Sequence, residues 1–484
     1  MMQVTNPYLP SYEYVPDGEP HVFGDRVYLF GSHDRFNGKK YCENDYVCWS
    51  APVSDLSAWQ FDGVIYRKKQ DPYNHNGRYA MFAPDVTCGP DGRYYLYYGL
   101  EFVNRISVAV CDFPAGPYEF YGNVRYADGT LYGCKEKEPI RFDPAVLTDE
   151  GRVWLYTGFC PNDPMFQQGF FADKGIDPLG NTVVELAQDM LTIVSEPKRM
   201  VPGAGNSTGT GFEGHEFYEA SSIRKFNGKY YFIYSSILSH ELAYAISDYP
   251  DRDFKFAGPL HSNGNIGYGG NQPPMNYWGN NHGSVECIGG SYYIFGHRQT
   301  NQHEFSRQGV AERLEMNPDG TFRMVEMTSC GLNGGPLRCE GSYEAGIACI
   351  LIGPNGACKT TLRKNEKRLH PYITQKGKDR ESNPKQYVAN VLNGTVIGYK
   401  YFEILHNDKP ITLTIRGHKF RHARGRILIS ATQDFAEVHG TLDVNVGIRE
   451  TQIAGKLHLP LGNQALYLKY QGSGAVDIID LTWN

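Results

Sequence analysis

Five times along these 484 residues, an ionisable residue is followed seven to nine positions later by a glycine that opens an aromatic strand. Asp17 precedes Gly24 and the run Val27–Ser32, Asp85 precedes Gly92 and Tyr94–Gly99, and Asp143 precedes Gly151 and Val153–Thr157. Glu219 precedes Gly228 and Tyr230–Ser235, and His282 precedes Gly290 and Tyr292–Gly296. The units recur roughly every 60 to 75 residues, the length of a four-stranded blade with generous loops. Helical periodicity is weak, and Asn-Gly, Asp-Gly and Gly-Gly pairs bound the aromatic runs as hairpin turns do. The expected fold class is all-β: a five-bladed β-propeller over residues 1–330, each blade delivering one polar residue toward a common axis.

A propeller of that size leaves a second domain. The Gly- and Pro-bearing segment Gly331–Pro336 reads as a linker, and beyond it the blade signature is lost. Residues 337–484 carry short alternating runs at Ile411–Arg416, Arg426–Ser430, Leu466–Gln471 and Val476–Leu481. They predict a β-sandwich of jelly-roll type. Lys359–Lys385, rich in basic and polar residues, reads as an exposed loop, and Phe159–Asn181 and Ser262–Trp278 as long loops at one rim of the propeller.

Composition narrows the function. A net charge of −6, from 47 basic and 53 acidic residues, argues against a nucleic-acid partner. No run of 18 apolar residues is present, so no membrane span is expected. The opening MMQVTNPYLP lacks the charged and apolar regions of a secretory signal, and the 11 cysteines are scattered without a CxxC pair. Reduced thiols and a cytoplasmic location are the expectation.

Inner propeller strands run nearly along the axis, so the five repeat residues would gather at one opening as three aspartates, one glutamate and one histidine. Each acid taken singly can be read as a turn or strand hydrogen-bonding group. Five at matching offsets point to a site, because clustered carboxylates repel one another and resist desolvation. Hydrolysis of a glycosidic bond needs such a set. One carboxyl must stay protonated to assist the leaving oxygen, another must be ionised, and a third can hold the first one's proton in place.

Residues 1 to about 330 resemble glycoside hydrolase family 43, whose members are inverting enzymes on a five-bladed propeller. The resemblance rests on Pro16-Asp17 in YVPDGEPHVFGDRVYLFG, on Asp143 in FDPAVLTDEGRVWLY and on Glu219 in YEASSIRKFNGKYYFIYSS. It implies Asp17 as general base, Glu219 as general acid, and Asp143 as the residue that tunes and orients the acid. Glu19 shares the strand parity of Asp17, but the offset to Gly24 favours Asp17. Phe82-Ala83-Pro84-Asp85 stands where the family has Trp-Ala-Pro, with Phe82 and Asp85 as implied substrate contacts. Arg298 in FGHRQ resembles the family's sugar-contacting arginine, and His33 and Asp34 in GSHD follow the first inner hairpin toward the same pocket. His282 in NNHGSV resembles an axial histidine that in many members faces a calcium ion, and a hydrogen-bonded channel histidine is the alternative. No cofactor is implied for the chemistry. Residues 395–484 loosely resemble the sandwich of carbohydrate-binding module family 6, either binding sugar or closing the active site.

The expected activity is inverting exo-hydrolysis of terminal pentoses from plant-derived, arabinose- or xylose-containing oligosaccharides, with α-L-arabinofuranose ahead of β-D-xylose. Homo-oligomer formation stays open. A non-catalytic carbohydrate-binding propeller has no need of the acid triad. A phosphorylase-type propeller would need a basic cluster at the axis, where Arg298 is the one candidate the sequence suggests.

Overall fold

The computed structural model describes residues 3–161, 176–360, 367–380 and 384–483. The middle of the Phe159–Asn181 loop and parts of Lys359–Lys385 therefore lie outside the described residues. Four blades are four-stranded antiparallel sheets that begin with the inner strands Glu19–Phe23, Met81–Cys88, Ala145–Asp149 and Phe217–Phe226. The fifth has three strands, Val285–Ile288, Ser291–Thr300 and His303–Leu314. The N-terminal segment backs its outer strand, where Asn6 donates to the Ala311 carbonyl and accepts from the Ala311 N–H.

The repeat glycines have a single physical explanation. Gly24, Gly92, Gly151, Gly228 and Gly290 all adopt positive φ, between 65° and 82°. Each lies in the turn that returns the inner strand into the second strand of its blade. Open space surrounds the Cβ position at all five, so backbone conformation and not crowding selects glycine.

Blade packing closes the ring. Separate apolar clusters join blades one and two (Phe30, Tyr46, Leu96), two and three (Tyr97, Val108, Leu155), and three and four (Trp154, Phe217, Phe232). A fourth joins blades four and five through Ile233, Tyr244 and Ile294. The fifth joins blade five back to blade one through Val27, Trp49, Phe295 and Ala311, and Gly18 bridges Gly283 along the backbone. Each fully buried Leu, Ile or Phe stabilises by about 1.5–3 kcal/mol. The apolar stabilisation thus lies between blades, and the axis is left to polar residues.

The C-terminal sandwich packs two six-stranded sheets around an aliphatic core that includes Ile397, Ile427, Leu442 and Leu468. All four runs expected from the sequence fall within observed strands. The basic stretch Lys359–Lys385 differs from expectation: Tyr372–Gln375 is a strand at the edge of one sheet, with Ile373 buried. Gly331–Asn333 forms a short 3-10 turn with Leu332 buried against the fifth blade, so this segment is a packed joint. All eleven cysteines are free thiols. No helix among the described residues is long and apolar enough to cross a membrane.

The sandwich also braces the site-bearing rim. Asp379 accepts from the Phe36 N–H at 2.7 Å and from Asn44 at 3.1 Å, and Thr374 donates to Asn301 at 2.9 Å.

Candidate active site

Asp17 and Asp143 each sit just ahead of their inner strand with positive φ, 58° and 43°. Aspartate tolerates this region better than most residues, and its use here turns both carboxylates into the channel mouth. Glu219 lies on an inner strand whose pairing shifts register on both sides of it, with Ala220 at φ 67°. That bulge re-aims the Glu219 side chain and frees the Ala220 N–H, which donates to Asp143 Oδ2 at 3.0 Å. Asp143 therefore holds the backbone next to Glu219. His282 lies among them, its Nδ1 3.6 Å from Asp143 and 4.0 Å from Asp17.

The surroundings push Asp17 in one direction and Glu219 and Asp143 in the other. Burial works to raise the Asp17 carboxyl, but the Arg307 guanidinium, with His297 and His282, outweighs it and holds Asp17 well below the usual carboxylate range. Arg307 Nη1 donates to Asp17 at 2.9 Å, and His297 Nδ1 lies 3.3 Å away. Burial, followed by the charge of Asp17, lifts Glu219 to about 7. Burial and the neighbouring Glu219 and Asp17 charges also raise Asp143 well above its ordinary value. Glu219 and Asp143 titrate as a pair that keeps a proton near neutrality, next to a carboxylate that is ionised. Burial lowers His282 to about 4, so its imidazole is neutral there.

A run of aromatic rings flanks the acids. Phe82 meets Phe142 edge-on at 5.6 Å, Phe142 lies 5.1 Å from Phe159, and Phe159 lies 5.8 Å from Tyr218. Half-buried Phe82 thus belongs to the wall beside Asp143 and Glu219.

Four residues expected to contact substrate are placed elsewhere. Arg298 is buried with its guanidinium on the Gly346 carbonyl at 2.8 Å, Gln308 at 2.9 Å and Gln386 at 3.2 Å, which fastens the sandwich to the propeller. Adjacent residues of a strand face opposite sides, and here His297 takes the side toward Asp17. Asp34 is fully buried, accepting from Arg307 Nε at 2.9 Å and from the Cys42 N–H, so it braces Arg307 from behind. His33 bonds Glu13 at 2.9 Å and the Asp45 carbonyl at 2.8 Å. Asp85 lies deeper on the axis, where His21 at 2.7 Å and the Val146 N–H at 2.8 Å occupy its two oxygens.

The residues that sequence reasoning missed are Arg307, His297, His21 and Arg224. Strand parity from Asp17 marks Glu19 and His21 as axial, a signal that was available. Nothing local marks Arg307 or Arg224.

The residues present offer a poor fit to the calcium ion that the resemblance gives, as one of two alternatives, beside His282. Glu19 Oε1 is the carboxylate oxygen on that side, 4.0 Å from His282 Nε2, and the other oxygen of Glu19 accepts from the Arg224 guanidinium at 2.8 Å. Donor atoms of Glu19, His21 and Asp85 lie within 4.8 Å of one another, but His21 and Asp85 bond each other directly. A hard dication seeks six to eight oxygen ligands, and here it would face a resident cation.

The family model for Glycosyl hydrolases family 43 matches residues 5–322. A xylosidase/arabinosidase of Thermoclostridium stercorarium is 49% identical over 481 residues, spanning 99% of this chain and 98% of that protein. A xylosidase/arabinosidase of Bacteroides ovatus is 29% identical over 321 residues, 61% of this chain and 89% of its own. Among solved structures, a glycoside hydrolase family 43 arabinoxylan arabinofuranohydrolase from Bacillus subtilis, crystallised with cellotetraose, aligns with TM-score 0.50 at 20% identity. That alignment covers 99% of this chain and 97% of the other, and it supports the fold across both parts.

Proposed function

The chain belongs to glycosyl hydrolases family 43, and from that premise we propose that it is an inverting exo-glycosidase releasing terminal pentoses, α-L-arabinofuranose first, from plant-derived oligosaccharides. One observation carries the proposal: Arg307 holds Asp17 ionised, while the Glu219–Asp143 pair retains a proton near neutrality. Asp17 accepts a proton from the attacking water. Glu219 gives its proton to the departing glycosidic oxygen. Asp143 anchors the Ala220 N–H and, paired with Glu219, helps the two carboxyls keep a proton between them until the bond breaks. Inversion requires room for that water, with base and acid about 6.5–9.5 Å apart. A glycoside hydrolase needs no cofactor for this chemistry.

Hydrolysis of β-D-xylosides at the same site is the second reading, favoured by the dual name of the relative at 49% identity. The test pairs aryl α-L-arabinofuranoside with aryl β-D-xyloside, with wild type and Glu219→Ala, and follows the anomeric configuration of the first-formed sugar by NMR. Cleavage with inversion, lost in the variant on substrates with poor leaving groups, is the expected result. Retention, or activity intact in Glu219→Ala, overturns the assignment of roles. No cleavage of either glycoside by folded wild type overturns the pentosidase reading.

A further inference from the structure

One layer below Asp17, Asp143 and Glu219, the axis carries three more carboxyl groups: Glu19, Asp85 and Glu286. Glu19 and Asp85 are buried, and Glu286 is nearly so. Such a stack repels itself unless a positive charge stands within it. Arg224 supplies that charge. Its side chain comes from the fourth blade's inner strand and is buried along with its guanidinium. Nη2 donates to Glu19 Oε2 and to the Pro20 carbonyl, both at 2.8 Å, and lies 3.3 Å from His21 Nε2. Nε reaches Glu286 at 3.3 Å, and Nη1 donates to the Ile223 carbonyl at 2.8 Å. Ser222, two residues earlier on the same face, donates to Glu19 at 3.0 Å and ties it to Ser284.

This arrangement leads to the catalytic layer. Among the described residues the buried Glu19 Oε1 has no hydrogen-bond partner, and it lies 4.0 Å from His282 Nε2. The other nitrogen of His282 faces Asp143 and Asp17. We propose that Arg224 is the permanent counter-cation of the channel, standing where a divalent ion would otherwise be needed, and that through Glu19 it positions His282 against the catalytic acids. The positioning half rests on the reaction proposed above. The counter-cation half stands on the channel itself. Arg224 touches no reacting atom and is a positioning residue.

Two measurements on the full chain test the two halves separately. In the first, wild type is analysed for bound metal and melted with EDTA and with millimolar calcium chloride. The expectation is no stoichiometric metal and an unchanged melting temperature, a readout that does not require activity. One calcium per chain, or a melting temperature that falls with EDTA, overturns the counter-cation. In the second, Arg224→Met is compared with Arg224→Lys. Losing the charge-assisted bonds to Glu19 should lower kcat about tenfold to a hundredfold. KM should hardly change, and lysine should restore most of kcat. Calcium should raise both the melting temperature and kcat of the methionine variant and neither in wild type. Wild-type kcat in Arg224→Met, or equal losses in both variants, overturns the positioning role. If Arg224→Met does not fold, the lysine variant and the wild-type metal analysis still decide.

Discussion

The propeller axis and the sandwich core are buried to a similar degree and filled in opposite ways. Around the axis stand Asp17, Glu19, Asp85, Asp143, Arg224 and His282, all under 9% exposed. The sandwich core is aliphatic, with Ile397, Ile427 and Leu468 almost entirely enclosed. A buried aliphatic side chain stabilises wherever it is packed, whereas a buried carboxylate costs free energy unless partners meet it. The propeller tolerates the axis because its apolar clusters lie between blades, outside the ring. Chemistry and cohesion are thus separated in the propeller, and the sandwich has cohesion alone at its centre.

The comparison is testable by treating one region as the other. Glu219→Ala should reduce turnover of an unactivated glycoside by about 10²–10⁴-fold, the usual contribution of a positioned acid. Thermal melts should show the fold intact, and a collapse of the melting temperature would mean that the axis also carries cohesion. Ile427→Ala should do the reverse, destabilising by about 2–5 kcal/mol in denaturant titrations and leaving kcat per folded molecule unchanged. Asp143→Asn removes the carboxyl whose coupling to Glu219 lets the pair hold a proton near neutrality. The alkaline limb of the pH–rate profile, expected near 7 in wild type, should move to lower pH, with kcat down about tenfold or more. An unmoved limb would dissociate Asp143 from the titration of Glu219.

The smallest effect concerns stability. The folded value for Glu219, about 7, lies above its ordinary 4.5. Its contribution is therefore fully present below about 4.5 and is lost as pH rises through 7. Glu219→Gln cannot ionise, so its melting temperature should gain on wild type between pH 5 and pH 8. A constant difference across that range would place Glu219 in a less desolvated setting than its burial indicates.

Much of this was legible in the chain because it is local. The offset from Asp17 to Gly24, or from Glu219 to Gly228, spans one inner strand and its turn, and the glycine is required there by positive φ. The same spacing brought Asp17, Asp143, Glu219 and His282 together as expected. Arg298 misled because a motif names a neighbourhood but not a face: one step along the strand, His297 reaches Asp17 and Arg298 reaches the sandwich. Asp34 and His33 misled in a related way, since their partners are Arg307 and Glu13, distant or unremarkable in sequence.

The amino-acid sequence by itself determined the repeat, the hairpin turns and which residues stand at the mouth of the channel, since strand length and turn chemistry act over fewer than ten residues. Only the tertiary structure decided the charge state of that mouth. Arg307 meets Asp17 across 290 positions, and Arg224 meets Glu19 across 205. Electrostatic interactions depend on distance in space and on the exclusion of water, and both are set when the fifth blade closes on the first.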